Sequence, residues 1–486
     1  MNIRKTVFLL AAFILQLPAV AQQKGISSRQ LEEVLIDSMW RLNRTDTAAA
    51  KAFQQSIIKQ FPHGLTARRV RLEQPRQAKS RDEYLAICKK IAEEYPYAEY
   101  HANPDRQGFN MRNFYNGYLR QLWGENLNLQ LRPGNANADQ LRKLIPLVPF
   151  STLEDIFLHG PQWIITKGAP VNPQEYYDIA KLMLDEMTSQ INDTIDFDMY
   201  GTAQERLQQK QRKVDLNNAI FADIAQQAGH PDVAIAYMEK IPIERRYIQY
   251  PNGNLAYIHA LQSKGRNEDA IKVLEGSAAE DMLTTETLRM LREHFDALNP
   301  KPAKDFNAYQ SSLRSEDARR RIMEDVRMGL VDEPFTPFVV DDIHGGKVSS
   351  ADFGNQIVII DFWATWCAPC IAALEGMQLA VDRYEGDPDV RFLFMDGQEE
   401  PRKEAIERVW KRKNLKSNML VTFENSEPGK KDYSAIYRDM FPGTSGIPQK
   451  AVLKNGRLRY RAQGYSGSPS GLMEEIVAVV ELLKAE

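Results

Sequence analysis

Cysteine is scarce in this 486-residue chain: there are three, Cys88, Cys367 and Cys370. Three thiols cannot staple a chain of this length, so the fold must be held by packing rather than by disulfides. A basic block is also missing. Lys and Arg number 62 against 65 Asp and Glu, a net charge of −3, which removes the electrostatic footprint of nucleic-acid binding. Histidines are few and stand singly, at His63, His101, His159, His230, His259, His294 and His344, so no ligand cluster is ready for a metal, and neither metal nor cofactor is expected. Past the first residues, no apolar run approaches the roughly 20 residues that cross a bilayer.

One short apolar run does occur at the start. Met1-Asn2-Ile3-Arg4-Lys5 is basic, Val7 to Leu17 is apolar, and Ala19-Val20-Ala21 has the small residues of a cleavage site. The pattern predicts a signal peptide cleaved after Ala21 and a soluble mature protein in an oxidising, periplasmic or secreted setting. A retained N-terminal anchor is the other reading of the same segment. No Cys follows the cleavage site, so lipid attachment has no support.

The chemistry is concentrated in Asp361-Phe362-Trp363-Ala364-Thr365-Trp366-Cys367-Ala368-Pro369-Cys370. The apolar run Ile357 to Ile360 predicts a buried strand before it, and Ile371-Ala372-Ala373-Leu374 predicts a helix interior after it. Cys367 then stands at a helix N-terminus, where unpaired N–H groups and the helix dipole favour a thiolate. Such a thiolate attacks disulfides, and Cys370, one turn on, can reach back and close a Cys367–Cys370 disulfide. Pro369 limits the backbone between them. Cys-x-x-Cys is also half of a zinc site, but the other two ligands are missing, since Cys88 lies in an apolar helical pattern and reads as a core thiol.

These residues resemble the thioredoxin superfamily, in which a Val/Ile-rich strand runs into Asp-Phe-Trp-Ala-x-Trp-Cys-x-Pro-Cys. Further segments follow in family order: Asp389 to Met395 as a second strand, Gly446-Ile447-Pro448 as the loop with a cis proline, and Ala451 to Gly456 entering a hairpin with an Asn-Gly turn. The resemblance implies that Pro448 lies against the cysteines, that Trp366, Ile447 and Pro448 present the client groove, and that Ala368 and Pro369 tune the potential. It further implies that Asp361, six residues before Cys367, is a buried acid that takes the proton of Cys370. Glu333-Pro334-Phe335 through Gly345-Gly346-Lys347 to Asp352-Phe353 resembles the N-terminal hairpin of the TlpA/ResA-like extracytoplasmic thiol-disulfide oxidoreductases. The long stretch from Gly397 to Ser445 fits the extra helix and strand of that branch. Where many members carry a Glu three residues past the second Cys, this chain has Ala373, and Glu375 reads as a solvated helix-face acid. Peroxiredoxins share the hairpin, but the Pro and Thr or Ser of their peroxide site are Ile360 and Ala364 here.

Residues 22–328 read as helical, an all-α domain before an α/β thioredoxin-like domain at 329–486, with the boundary where Met328-Gly329 meets Pro-rich extended chain. Two internal echoes occur. Phe53 to Pro62 matches Ile87 to Pro96 at an offset of 34, and Gly229 to Glu239 matches Gly265 to Glu275 at an offset of 36. Both lie near the tetratricopeptide period, and a degenerate repeat or an irregular helical domain would each produce them. Trp123 and Trp163 fall in a middle region that carries no catalytic constellation. The expected activity is thiol-disulfide exchange on disulfide-containing client proteins, fed by a membrane thiol electron donor. The alternatives are an oxidase or isomerase using the same site, or a redox-sensing interaction protein whose helical domain is the working part.

Overall fold

The computed structural model describes residues 27–43, 46–96, 108–127, 136–167, 173–192, 201–298, 305–416, 419–424, 432–444 and 446–486. The expected signal segment, its cleavage site and the side chains of Trp123 and Trp163 lie outside what is described. Among the described residues no helix is long and apolar enough to cross a membrane.

The chain forms two compact units. The first takes in the described residues up to 126 together with 136–156, and it contains α1 (Ser28–Asn43), α2 (Thr47–Gln60), α3 (Leu65–Glu73), α4 (Arg81–Glu94), α5 (Gly108–Leu127), α6 (Ala136–Leu144) and the start of α7 (Phe150–Lys167). The offset of 34 shows in the helix ends. Asp46 and Ser80 cap α2 and α4 by accepting from Ala49 N at 2.9 Å and Glu83 N at 3.1 Å. Both helices end on an aromatic residue in the same bend, Phe61 at φ −125°, ψ 72° and Tyr95 at φ −126°, ψ 73°, because each is followed by a proline that cannot continue a helix. Cys88 is the buried core thiol that its apolar neighbours predict, and burial pushes its pKa up to about 11.

The second unit holds α8 (Pro173–Ser189), α9 (Ala203–Gln227), α10 (Pro231–Lys240), α11 (Ile243–Arg246), α12 (Pro251–Ser263), α13 (Asn267–Ala279), α14 (Thr285–Leu298), α15 (Phe306–Leu313) and α16 (Glu316–Gly329), followed by the sheet. Here the offset of 36 recurs: Gly229 and Gly265 both adopt positive φ, 80° and 71°, and α10 and α13 each begin two residues later.

The sheet has eight strands in the order β1-β8-β7-β4-β5-β6-β2-β3. They are β1 (Leu330–Glu333), β2 (Val339–Asp342), β3 (Lys347–Ser349), β4 (Ile357–Trp363), β5 (Val390–Asp396), β6 (Val421–Phe423), β7 (Gln449–Lys454) and β8 (Arg457–Gln463). The β4, β5 and β6 strands run parallel, as crossover helices require, and the others pair antiparallel. Helices α17 (Ala368–Arg383), α18 (Lys403–Lys413) and α20 (Pro469–Lys484) pack on one face, and α19 (Ala435–Met440) packs on the other. Strand β4 is buried on both faces, which is why its sequence is a continuous apolar run: Ile357 and Ile359 face α17 and α20, whereas Val358, Ile360 and Phe362 face α19. The β7–β8 turn is Asn455-Gly456 with φ 53° and 70°, the left-handed pair that such a hairpin needs.

The stretch from 397 to 445 supplies α18, β6 and α19, matching the extra helix and strand that the resemblance implied. Two strands differ from the sequence reading. Strand β7 starts at Gln449, two residues before the apolar run, and β1 pairs with β8 although its Leu330-Val331-Asp332-Glu333 has no alternation. Within this unit the helices are fastened to the sheet domain. Ser470 Oγ accepts from Leu283 N at 2.9 Å, and Arg314 bridges Asp281 and Glu474 at 2.7 Å each, nearly out of solvent.

Candidate active site

Strand β4 ends by carrying Asp361, Phe362 and Trp363 to the edge of the core, and the chain turns at Ala364 to Trp366 into α17. Cys367 is the N-cap of that helix. Its backbone is extended, φ −86° and ψ 97°, and its sulfur accepts from Cys370 N at 3.3 Å. Pro369 sits in the first turn, where a missing N–H leaves no intrahelical bond unmade. Cys367 and Cys370 are joined by a disulfide with Cα atoms 5.3 Å apart. Cys370 is fully buried and Cys367 is 3% exposed. Trp366 stands out beside it at 52% exposure. The Ile447–Pro448 peptide is cis, and the Ile447 carbonyl oxygen lies 3.7 Å from Cys367 Sγ. The loop of Ile447 and Pro448 thus comes to the same sulfur as Trp366, 80 residues away in sequence. Ala368 opens α17 between them.

Asp361 alternates onto the face that holds Ile359, Trp363 and Cys370. It is fully buried, and its register partner on β7 is Lys450, whose Nζ lies 3.4 Å from Asp361 Oδ1. At that separation the pair is electrostatic rather than a well-formed hydrogen bond. Burial raises the Asp361 pKa, and the Lys450 charge opposes that rise without cancelling it.

Three further acids surround the site without having been singled out from the sequence. Glu399 accepts from both the backbone N and the Oγ1 of Thr365, the latter at 3.0 Å, and so anchors the turn before the cysteines from behind. Asp396, at the end of β5, is buried facing Glu399; among the described residues neither of its oxygens has a hydrogen-bond donor. Burial and the like charge of Glu399 push its pKa up to about 8. Glu424, behind β6, accepts from Ile436 N, and burial lifts it to about 7. The signal available was Asp396-Gly397-Gln398-Glu399-Glu400, an acidic run directly after a buried strand, which reads as a solvated loop until the sheet end is seen. Glu375 corrects the sequence reading. It is hydrogen-bonded to Thr285 N at 2.9 Å, at the N-terminus of α14, so it braces the active-site helix against the helical part instead of standing free.

The model of the AhpC/TSA family matches residues 331–426, the part with the hairpin and the cysteines. The thiol-disulfide oxidoreductase ResA of Bacillus cereus is 34% identical over 62 residues, 13% of this chain and 35% of that one, so the chain spans about a third of that relative. Thioredoxin of Staphylococcus aureus is 32% identical over 86 residues, 17% of this chain and 76% of that one. The chain belongs to the thioredoxin superfamily. Compared with whole structures, this superfamily member aligns with a thiol-disulfide oxidoreductase from Bacteroides fragilis at 19% identity and TM-score 0.24, covering 31% of this chain and 99% of that one. The family model covers residues of the C-terminal sheet domain, 331–426.

Proposed function

We propose that this protein is an extracytoplasmic thiol-disulfide oxidoreductase that reduces disulfides of client proteins. The observation that carries this reading is the bonded Cys367–Cys370 pair at a helix N-terminus, with the cis Ile447–Pro448 loop at the outer sulfur and a buried carboxyl in the layer of the inner one. In the reduced protein, Cys367 thiolate attacks a client disulfide: a Cys367–client bond forms, the client S–S bond breaks, and one client thiolate leaves and takes up a proton. Asp361 accepts the proton of Cys370, whose thiolate then attacks the Cys367 sulfur. The mixed disulfide breaks, the second client thiol leaves, and the Cys367–Cys370 bond is restored with the two electrons given to the client. Trp366, Ile447 and Pro448 form the groove, Ala368 and Pro369 set the potential, and a dithiol donor in the membrane returns the enzyme to the reduced form. The basic-apolar-small pattern of residues 1–21 supports the extracytoplasmic placement.

Peroxide chemistry is disfavoured by Ile360 and Ala364, which offer neither hydroxyl nor proline to a peroxide. Residues 22–328 would select or present clients, and the Glu375 and Arg314 contacts support a fixed placement of helices 201–329 on the redox domain. The test uses the full chain reduced with excess dithiol and mixed with insulin. The expected outcome is disulfide reduction that Cys367→Ala abolishes, while Cys370→Ala accumulates covalent adducts resolved by mass spectrometry. Equal activity in Cys367→Ala sinks the reading, and an equilibrium with glutathione above about −180 mV would reverse the direction of electron flow.

A further inference from the structure

Strand β5 ends at Asp396, and the next three residues carry the chain back against the turn that leads into Cys367. Gly397 N donates to the Trp363 carbonyl oxygen at 3.0 Å, which ties the start of this loop to the end of β4. Gln398 stands at φ 61°, a left-handed backbone that a non-glycine residue keeps where its surroundings hold it. Its N–H donates to the Tyr433 carbonyl oxygen at 2.7 Å and supplies that hold. The bend returns Glu399 to Thr365, whose N–H and hydroxyl both donate to its carboxyl. Arg402 adds a third donor at 3.0 Å, and the Glu399 side chain is 7% exposed.

Three donors on one carboxyl are the company of an ionised acceptor. The turn by itself does not require that charge, because a Gln side chain in the same place could accept from Thr365 N and donate to the Thr365 hydroxyl. What the charge adds is electrostatic. Thr365 N and Cys367 N are two residues apart, a chain span of at most about 7 Å. The Cys367 N–H bond to the Ala364 carbonyl oxygen, 3.1 Å, curls that stretch further. The span is no longer than the Debye length of ~8 Å at physiological ionic strength, so a fixed charge bonded to Thr365 is felt at Cys367.

We propose that Glu399 is a charge-setting positioning residue of the dithiol: bonded to the turn before Cys367, its carboxylate disfavours the Cys367 thiolate and makes the reduced pair the stronger electron donor. This rests on the dithiol reading above and concerns its direction. The helix N-terminus favours the thiolate and Glu399 works against it, so the reduced form is held less tightly and passes its two electrons to a client more readily. The other charges facing the loop are Asp396 at its start, Glu424 behind Gly397, whose carboxyl accepts from Ile436 N, and Arg402, which takes up part of the Glu399 charge. Glu400 and Lys403 are exposed to solvent, and Asp361, paired with Lys450, lies in the layer of Cys370.

The experiment equilibrates the full chain with reduced and oxidised glutathione from pH 5 to 9, and separately alkylates the reduced chain over the same range. At equilibrium two glutathione thiols become one glutathione disulfide as the Cys367–Cys370 bond opens to two thiols. Glu399→Gln keeps the shape and removes the charge. The pH midpoint of Cys367 alkylation is expected to fall by about half a unit, and the equilibrium to move about threefold toward the dithiol above that midpoint. Below the midpoint Cys367 is a neutral thiol, and the shift should vanish. The same shift is expected in an Asp396→Asn background, where residue 396 no longer ionises. Arg402→Met, a change at an exposed side chain, should move the midpoint up. Thr365→Val keeps the charge and the backbone bond, and should leave the midpoint where it is. An unmoved midpoint in Glu399→Gln, a shift of equal size at every pH, or Thr365→Val matching Glu399→Gln overturns the assignment and leaves the dithiol reading standing. No exchange between glutathione and the wild type would overturn the dithiol reading instead.

Discussion

Asp361 and Asp396 are both wholly buried, on neighbouring strands, at the same end of the sheet. Burial raises the pKa of each, but their partners act in opposite senses. Lys450 pulls Asp361 back toward ionisation, whereas Glu399 pushes Asp396 up to about 8. The difference teaches that a buried acid takes its job from its neighbour. Asp361 faces a cation that favours its charged form against the pull of burial. Burial and the like charge of Glu399 favour the neutral form of Asp396, and a protonated carboxyl is a donor facing the carboxylate that anchors Thr365.

The largest expected break of this contrast is kinetic. Asp361→Asn should slow resolution of the mixed disulfide by about 10²–10⁴-fold and leave the first attack near the wild-type rate, whereas Asp396→Asn should leave resolution within about threefold. Stopped-flow rates for the two phases decide it, and equal losses in both variants would erase the division of labour.

The next effect is on stability. A carboxyl whose pKa is raised by folding binds a proton in the native state that the unfolded chain has already lost. For Asp396, stability should therefore fall as pH rises from about 4 to about 8, by up to ~1.4 kcal/mol per unit, and level off above that. Glu424 adds a slope of the same sign up to about 7. Denaturant midpoints from pH 5 to 9 should show the decline, and Asp396→Asn should flatten it. A midpoint that rises through this window would refute the assignment.

The smallest effect sharpens the comparison. Thr365→Val removes the side-chain bond to Glu399 and keeps the backbone one, at a cost of about 1 kcal/mol. The loss should shrink above pH 8.5, where an ionised Asp396 already weakens the Glu399 anchor. A pH-independent loss would uncouple the two acids.

The cysteine pair, the strand before it and the Asn-Gly hairpin were legible because each is written in contiguous residues: an apolar run, a one-turn spacing, a turn dipeptide. The charged partner of Asp361 was not. Lys450 precedes an apolar run and looks like the last loop residue, and only the register of β7 against β4 turns it inward. Glu375 was misread because its partner, a backbone N–H 90 residues earlier, has no side-chain signature. The helical echoes were visible as spacing, and their matching caps and bends show that helix-end chemistry is what the spacing encodes.

Strand β1 has a consequence for how copies of this protein behave at high concentration. Long exposed sheet edges template pairing with other chains. The seven residues of β8 would form such an edge, and β1 covers part of it directly as the chain leaves α16. Gly329 makes this approach possible, since a side chain there would collide with the Arg461 carbonyl and the Tyr460 ring. The connector therefore serves as a guard rail against edge-to-edge association, and any substitution at Gly329 should favour clumping before it harms chemistry.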